Sequence, residues 1–420
     1  MMTQAFYTGL SGIKSNQFAL DVVSDNLANI STTGFRGAEY EFSTLFEDAL
    51  NTDSEGSSVS STTGLGTQIN ATSTMMATGT ISSTERNTDL AILGAGWFGV
   101  VGEGDPVFTR NGSFSFDSNN DMITQDGFHV LGTMANNIST DGILTQVVEK
   151  TELGDVATQG KLQFPKSLTY PSQATSYVNF FGNLGSADEV IKMGSSVIDP
   201  EGNINNLSLT FTQAVPQVFP GSQWDVVATT ESIDGDTIYD TQTGRAEFNE
   251  LGEITSSSLT TIDNNGSGVS INLGSSYDGV FAIASANIYA SSQSDGSVAG
   301  DLVGYNINAD AEVIATFSNG KQSSVGQVAV YHFQNDQGLE RLNGSNFKES
   351  SNSGAPSFFK DANGNNIIGT EVKNYSLEGS NIEMTYGLTD LIILQRAYDA
   401  NSKSITTADQ MLQKALDMGA

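Results

Sequence analysis

The chain contains no cysteine, which excludes disulfides, thiolate nucleophiles and cysteine-ligated zinc or iron–sulfur centres. Histidine is nearly absent too: His129 and His332 are the only two, too few for a multi-histidine metal site. Basic residues number 17 against 48 acidic ones, a net charge of −31. Nucleic acids and anionic membranes require clustered cations to neutralise phosphates, so neither is an expected partner. Long apolar runs are missing. Leu391-Ile392-Ile393-Leu394 is far short of a membrane span, so no membrane insertion is expected. The opening Met1-Met2-Thr3-Gln4-Ala5-Phe6 lacks a cationic stretch before an apolar core, so no cleaved signal peptide is expected.

What remains is rich in turns. Forty-four glycines against seven prolines, with much Ser, Thr and Asn, indicate short strands joined by many turns. Hydrophobic residues make up 38% of 420, enough for a core and too many for a disordered chain.

The two ends differ from the middle. Near the start, Phe6, Ile13, Leu20 and Leu27 recur at sevens, and near the end Met384, Leu391, Tyr398, Ile405 and Leu412 do the same. Each set predicts an amphipathic helix with coiled-coil character. Ser380-Asn381-Ile382-Glu383 has the spacing of a capping box at the start of the second helix. Asn401 falls on its seam, where a polar residue favours one register. Gly9 and Gly12 weaken the first helix by about 1 kcal/mol each relative to alanine, so it needs a partner. Ser31-Thr32-Thr33-Gly34 marks its end.

Between the helices the text is β. Residues 51–84 read as a long loop or arm. Leu90–Leu93, Phe98–Val101, Val107–Thr109 and Ser113–Phe116 read as strands. Similar text with Asn265-Gly266 and Asp278-Gly279 turns fills about 150–310, and alternating strands return over 311–375. The expected fold is α+β, mainly β: β-rich domains nested between N- and C-terminal helices that pair as a coiled-coil-like inner layer. The expected units are 1–30 with 380–420 (helices), 31–85 with 360–379 (arm), 86–149 with 311–359 (β domain) and 150–310 (inserted outer β domain).

Several motifs mislead. Gly94-Ala95-Gly96-Trp97-Phe98-Gly99 has dinucleotide-fingerprint spacing, but strand and turn residues follow where a helix must receive the pyrophosphate; the glycines read as hairpin punctuation. Asp117-Ser118-Asn119-Asn120-Asp121 and Asp361-Ala362-Asn363-Gly364-Asn365 resemble calcium loops but lack the glycine and closing glutamate, so both read as turns. His129 and His332 lie in strand text. No catalytic, cofactor-binding or metal residue is expected, and the chain is not expected to be an enzyme.

The termini carry a family likeness. Leu20 to Gly37, with Ser24, Asn26, Ala28, Asn29, Thr33, Gly34 and Phe35 matching directly, resembles the amino-terminal signature of bacterial flagellar rod and hook proteins. Glu378, Gly379, Ser380 and Asn381, followed by Gln395, Arg396 and Asn401, are similar to the family's carboxy-terminal signature. Phe108–Phe114 and the stretch from Asn335 to Pro356 are similar to two family hairpins. The resemblance spans roughly 1–145 and 320–420. It implies a helical homopolymer in the extracellular flagellum, exported through the flagellar channel, with the terminal helices innermost. Rod, hook–filament junction, export and cap proteins are the implied partners. The 150–310 insertion favours the hook over the shorter distal rod proteins, which are the alternative. The rival of another class is a secreted β-rich enzyme or ligand-binding module. Because the helices leave apolar faces uncovered in one chain, residues 1–30 and about 380–420 are expected to order on polymerisation. Amide hydrogen exchange should show them weakly protected in dilute monomer and strongly protected in polymer. Termini as protected as the β core in the monomer would contradict this.

Overall fold

The computed structural model describes residues 2–45, 66–185, 190–217, 220–284, 289–343 and 345–419. The protein is mainly strand, bracketed by two helices that pack on each other. Helix α1 spans Met2–Ala28 and α2 spans Met384–Gly419, the latter about 54 Å long at 1.5 Å per residue. They run antiparallel: Gly9 faces Ile405, Gly12 faces Asn401, and Leu27 faces Gly387. Ala19, Val23 and Leu394 are buried between them, with Leu20, Leu391 and Tyr40 packed around. The two glycines have a positive role. A Cβ on Gly12 would sit 2.7 Å from the Asn401 amide nitrogen, and one on Gly9 would sit 2.8 Å from Ile405. Their helix cost permits a close approach of backbones.

The start of α2 differs from the capping-box expectation. Ser380 Oγ accepts from the Ile382 amide, and the first helical bond runs from the Gly387 amide to the Glu383 carbonyl. Asn381 is tied to other chain segments, so residues 380–382 cannot join the helix. The sevenfold seam also needs correction. Phe6, Ile13, Leu20, Leu27, Leu391, Ile405 and Leu412 are half-buried, but Met384 and Tyr398 are exposed. A straight helix drifts about 20° per heptad against a strict seven-residue repeat, and Met384 lies beyond the end of α1.

The expected loop over 51–84 falls partly outside the described residues. Within them, β1 (Ala38–Thr44) and β2 (Thr67–Thr74) form an antiparallel ribbon along α1. The Ser15 hydroxyl donates to the Thr67 carbonyl. Residues 366–374 are not an arm either. Glu371–Asn374 pairs with Leu90–Leu93, and Ile368 and Val372 join the first β core.

That core interleaves chain from both sides of the insertion. Gln322–Val328 pairs with His129–Met134, and Val330-Tyr331 with Trp97-Phe98. Phe98, Phe114, Phe164, Phe317 and Tyr305 fill it. A second core lies between an antiparallel meander of Ile191–Ile198, Ile204–Gln213, Ser222–Ser232, Ile238–Phe248 and Ile254–Ser257 and a sheet built around Tyr177–Asn183. Alternate residues Leu207, Leu209, Phe211 and Trp224, Val226, Ala228 point inward, the period-2 pattern of a half-buried sheet. Asn265-Gly266 makes the expected hairpin. The other turn is Ser276-Tyr277, because Asp278 and Gly279 already pair with Ser275 and Gly274.

The insertion is narrower than 150–310. Leu153 packs with the first β domain, and Leu162, Phe164, Leu168, Tyr170, Tyr305 and Ile307 belong to its main core. The two cores are joined where Gln173 and Ser297 exchange both backbone hydrogen bonds, 2.8 and 3.0 Å. Antiparallel residues bonded in this way lie about 5.5 Å apart, close enough for a two-residue turn. Replacing 174–296 with Asn-Gly should therefore leave the first β domain folded. Circular dichroism and a cooperative melt would check this, and an unfolded product would show the two cores to be interdependent.

Candidate functional site at the junction of the termini

The residues around the signatures meet in one place. Strand Ser376–Glu378 pairs with Ile81–Ser83 and carries the Glu378 side chain inward, 1% exposed. Its Oε1 lies 2.9 Å from Arg36 Nη2 and its Oε2 lies 2.9 Å from Arg110 Nε. The Gly79 amide also donates to Oε1. Arg110 spends its other donors on the carbonyls of Ile92, Gly94 and Gly96, and Arg36 donates to the Ala77 carbonyl. Burial, aided by the neighbouring guanidinium of Arg110, lowers the Arg36 pKa to about 10, so it stays charged at neutral pH. Burial likewise lowers that of Arg110, against the opposing pull of Glu378. Asp336, which accepts from the Trp97 indole, supplies a further negative charge nearby.

This explains the glycine-rich motif and corrects its reading. Leu90–Leu93 and Trp97–Val101 do not form a hairpin with each other; they pair with different strands. The link between them wraps the Arg110 guanidinium. Phe108–Phe114 is not a hairpin either, because Val107–Thr109 and Phe114–Phe116 pair elsewhere and Arg110 turns inward between them. Within Asn335–Pro356, Glu340-Arg341 does pair with Asn346–Lys348.

The signature residues surround this cluster. The Asn26 carboxamide donates to the Ala38 carbonyl and accepts from its amide, pinning the end of α1 to β1. Asn29 folds back on Asp25. Thr33 accepts from the Ser345 hydroxyl. Gly34, at φ +67°, donates its amide to the Glu378 carbonyl, and a Cβ there would sit 2.4 Å from the Asn111 nitrogen. Only glycine fits both demands. Phe35 is buried beneath the Arg341 guanidinium, 4.7 Å from its ring. The Gly379 amide donates to Thr80, and Asn381 donates to Met75 and Ala77 while accepting from Gly37. Ser24, Ala28, Gln395 and Arg396 are exposed and stand apart, and Asn401 lies on the helix seam. Arg36, Arg110 and Arg341 were absent from the expected site. In a chain with 17 basic residues, arginines embedded in Gly34-Phe35-Arg36-Gly37 and Thr109-Arg110-Asn111-Gly112 were the available signal.

The arrangement is one of fixation. His332 places Nε2 2.6 Å from the Ile368 carbonyl, and burial lowers its pKa. His129 starts a strand with Nδ1 3.8 Å from Asp121. The Asp117 and Asp361 carboxylates accept amides of their own loops, the bonding of turns.

Paired terminal helices lie beneath nested β domains, and three segments of the chain match domain families of flagellar rod and hook proteins. Residues 6–36 match the family described as "Flagella basal body rod protein", 91–177 "Flagellar hook protein FlgE/F/G D1 domain", and 373–418 "Flagellar basal body rod FlgEFG protein C-terminal". End to end it is similar to proteins named flagellar hook protein FlgE. That of Escherichia coli K12 is 28% identical over 99% of this chain and 100% of the relative. Those of Borreliella burgdorferi and Treponema pallidum are each 26% identical, over 98% and 99% of the chain and 99% and 100% of the relatives. The fold resembles the crystal structure of Helicobacter pylori flagellar hook protein FlgE2 with a TM-score of 0.51 at 14% identity, covering 71% of this chain and 100% of that one. Together these matches support a structural subunit of the hook.

Removing one partner of a buried ion cluster costs about 3–5 kcal/mol, because the remaining charges are left uncompensated. Glu378→Gln should destabilise the first β domain by that amount, read from denaturant midpoints, whereas exposed Arg396→Ala should change stability by less than about 0.5 kcal/mol. Equal effects would remove the cluster from its structural role.

Proposed function

We propose that the chain polymerises through its terminal helices into the curved tube of a bacterial flagellar hook, which carries motor torque to the filament. The observation that carries this reading is the end-to-end likeness to hook proteins, including the inserted β domain that shorter distal rod proteins lack. In the polymer the α1–α2 layer lies innermost, the first β domain outside it and residues 174–296 outermost. The main partner is a second copy of the chain. Rod and hook–filament junction proteins flank the tube, and export and cap proteins deliver and place the subunits. Export proceeds through the flagellar channel without cleavage of a signal peptide. The work is packing, with no catalytic step.

The helix pair supports this reading by what it leaves uncovered. Met384, Tyr386, Ile392, Ile393 and Met411 are each more than half exposed on α2, and burying such a side chain contributes about 1.5–3 kcal/mol. Electron microscopy of purified protein tests the proposal: long curved tubes support it, and persistent monomers oppose it. Immunolabelling of isolated basal bodies separates hook from rod. Leu391, packed against the Ala19–Val23–Leu394 cluster, gives the sharper test. Leu391→Asp places a carboxylate in an apolar seam at a cost of several kcal/mol. Tubes should be lost while the β-sheet circular dichroism is retained; normal tubes would remove the seam from assembly.

A further inference from the structure

His332 fastens both legs of one hairpin. Its amide and carbonyl exchange backbone bonds of 3.0 and 2.9 Å with Ser357, whose hydroxyl also donates to the His332 carbonyl. Its ring reaches the other leg, where Nε2 lies 2.6 Å from the Ile368 carbonyl. A carbonyl only accepts, so Nε2 carries the proton and the neutral ring is the Nε2–H tautomer. Between those legs Phe359–Lys360 and Asn366–Ile367 form a sheet of two strands, tied elsewhere through Asn366 to Gly154 and Asp155. The Phe359 ring lies 4.3 Å from the imidazole and is half exposed. Gly96 also borders the imidazole, since a Cβ there would sit 3.1 Å from its Cε1. His332 itself is buried.

The geometry points to an acid-sensitive latch: the neutral His332 ring holds the 357–368 hairpin closed, and its protonation opens it. A proton would add a cation facing the buried Arg110 guanidinium, itself paired with Glu378. Asp336 is the facing anion. Lys360, Asp361 and Glu371 belong to the segments packed against the ring. Lys360 and Glu371 are exposed, and Asp361 accepts amides of its own loop. Burial is the largest influence on the ring and disfavours its charged form. The Ile368 bond and Asp336 oppose burial, Arg110 adds to it, and the pKa is lowered. The folded ring therefore takes its proton at lower pH than the unfolded ring, whose ordinary value is 6.5. The stability that the neutral ring contributes is complete above that value and is lost as the pH falls below it. Opening the hairpin wets the ring without parting the core strands, because Phe359 is already half exposed. Ile368 leads into Glu371–Asn374 and then Ser376–Glu378, so release at His332 loosens the segment that carries Glu378.

With only two histidines in the chain, the ring can be followed by itself. Histidine labelled with carbon-13 at Cε1 gives one NMR signal per ring, and the His129→Gln variant shows which belongs to His332. Its titration midpoint should fall below pH 6.5. Over the same interval, amide hydrogen exchange corrected for its intrinsic pH dependence should show the His332 and Ser357 amides losing protection. The Ala329 amide, bonded to the Leu131 carbonyl, should stay protected, because the core remains closed. A midpoint at or above 6.5, unchanged protection down to about pH 5, or an equal loss at Ala329 would each overturn the latch. His332→Gln supplies a second arm, since a carboxamide can donate to Ile368 but does not titrate. That variant should keep the Ser357 amide protected on acidification, and a loss matching the wild type would count against His332. If the variant does not fold, the wild-type titration and exchange decide the matter alone.

Discussion

The carboxylate of Glu378 holds the architecture together. It sits between two buried guanidiniums, one from the segment leaving α1 and one from inside the first β domain, while its own strand leads into α2. Three distant parts of the chain thus converge on two oxygens. A buried ion cluster is a poor source of net stability, because desolvation offsets most of the attraction. Its contribution is positional. A guanidinium that must satisfy several fixed carbonyls as well as a carboxylate tolerates one geometry, so the helices leave the β domain in a set direction.

Around that fixed point the polar side chains do backbone work. Asn26 and Asn381 replace missing strand partners at places where the chain changes from helix to strand, and buried amides and carbonyls must be paired somewhere. Gly34 and Arg110 depend on each other's neighbourhood, the first for room against Asn111 and the second for the carbonyls it grips. A load applied to the β domains would reach the helices through charge-assisted hydrogen bonds instead of a flexible linker. The junction with the inserted domain is built differently. There two strands bridge at Gln173 and Ser297, and the Asp295 carboxylate accepts the Ser176 and Tyr177 amides.

The helix layer sets helix propensity against close packing. Gly9 and Gly12 lower helix propensity yet let α2 approach closely. A single pair of helices buries only part of each apolar surface, so Tyr386, Ile392 and Ile393 stay wet in one chain. Most helical stability in proteins comes from packing of such faces. The layer therefore leaves apolar faces open in one chain.

Sequence alone determined the helices at both ends, the strand text between them and the exclusion of thiol and multi-histidine chemistry, because composition and periodicity are local properties. Leu90–Leu93 and Val107–Thr109 were legible to the residue, since short apolar runs between glycine-rich turns leave one reading. Which strand pairs with which was not legible. Phe108–Phe114 reads as a hairpin, and only the fold shows its two strands diverging around Arg110. The insertion's limits were misplaced because Leu162 and Tyr170 look like any strand residues until the core that receives them is known. Glu378, Gly34 and Asn381 were visible as a signature, but their shared task was not. A carboxylate becomes a junction only when Arg36 and Arg110, hundreds of residues away from it, arrive at 2.9 Å. Propensity acts over a few neighbours along the chain, and the pairing of buried charges is decided by tertiary structure alone.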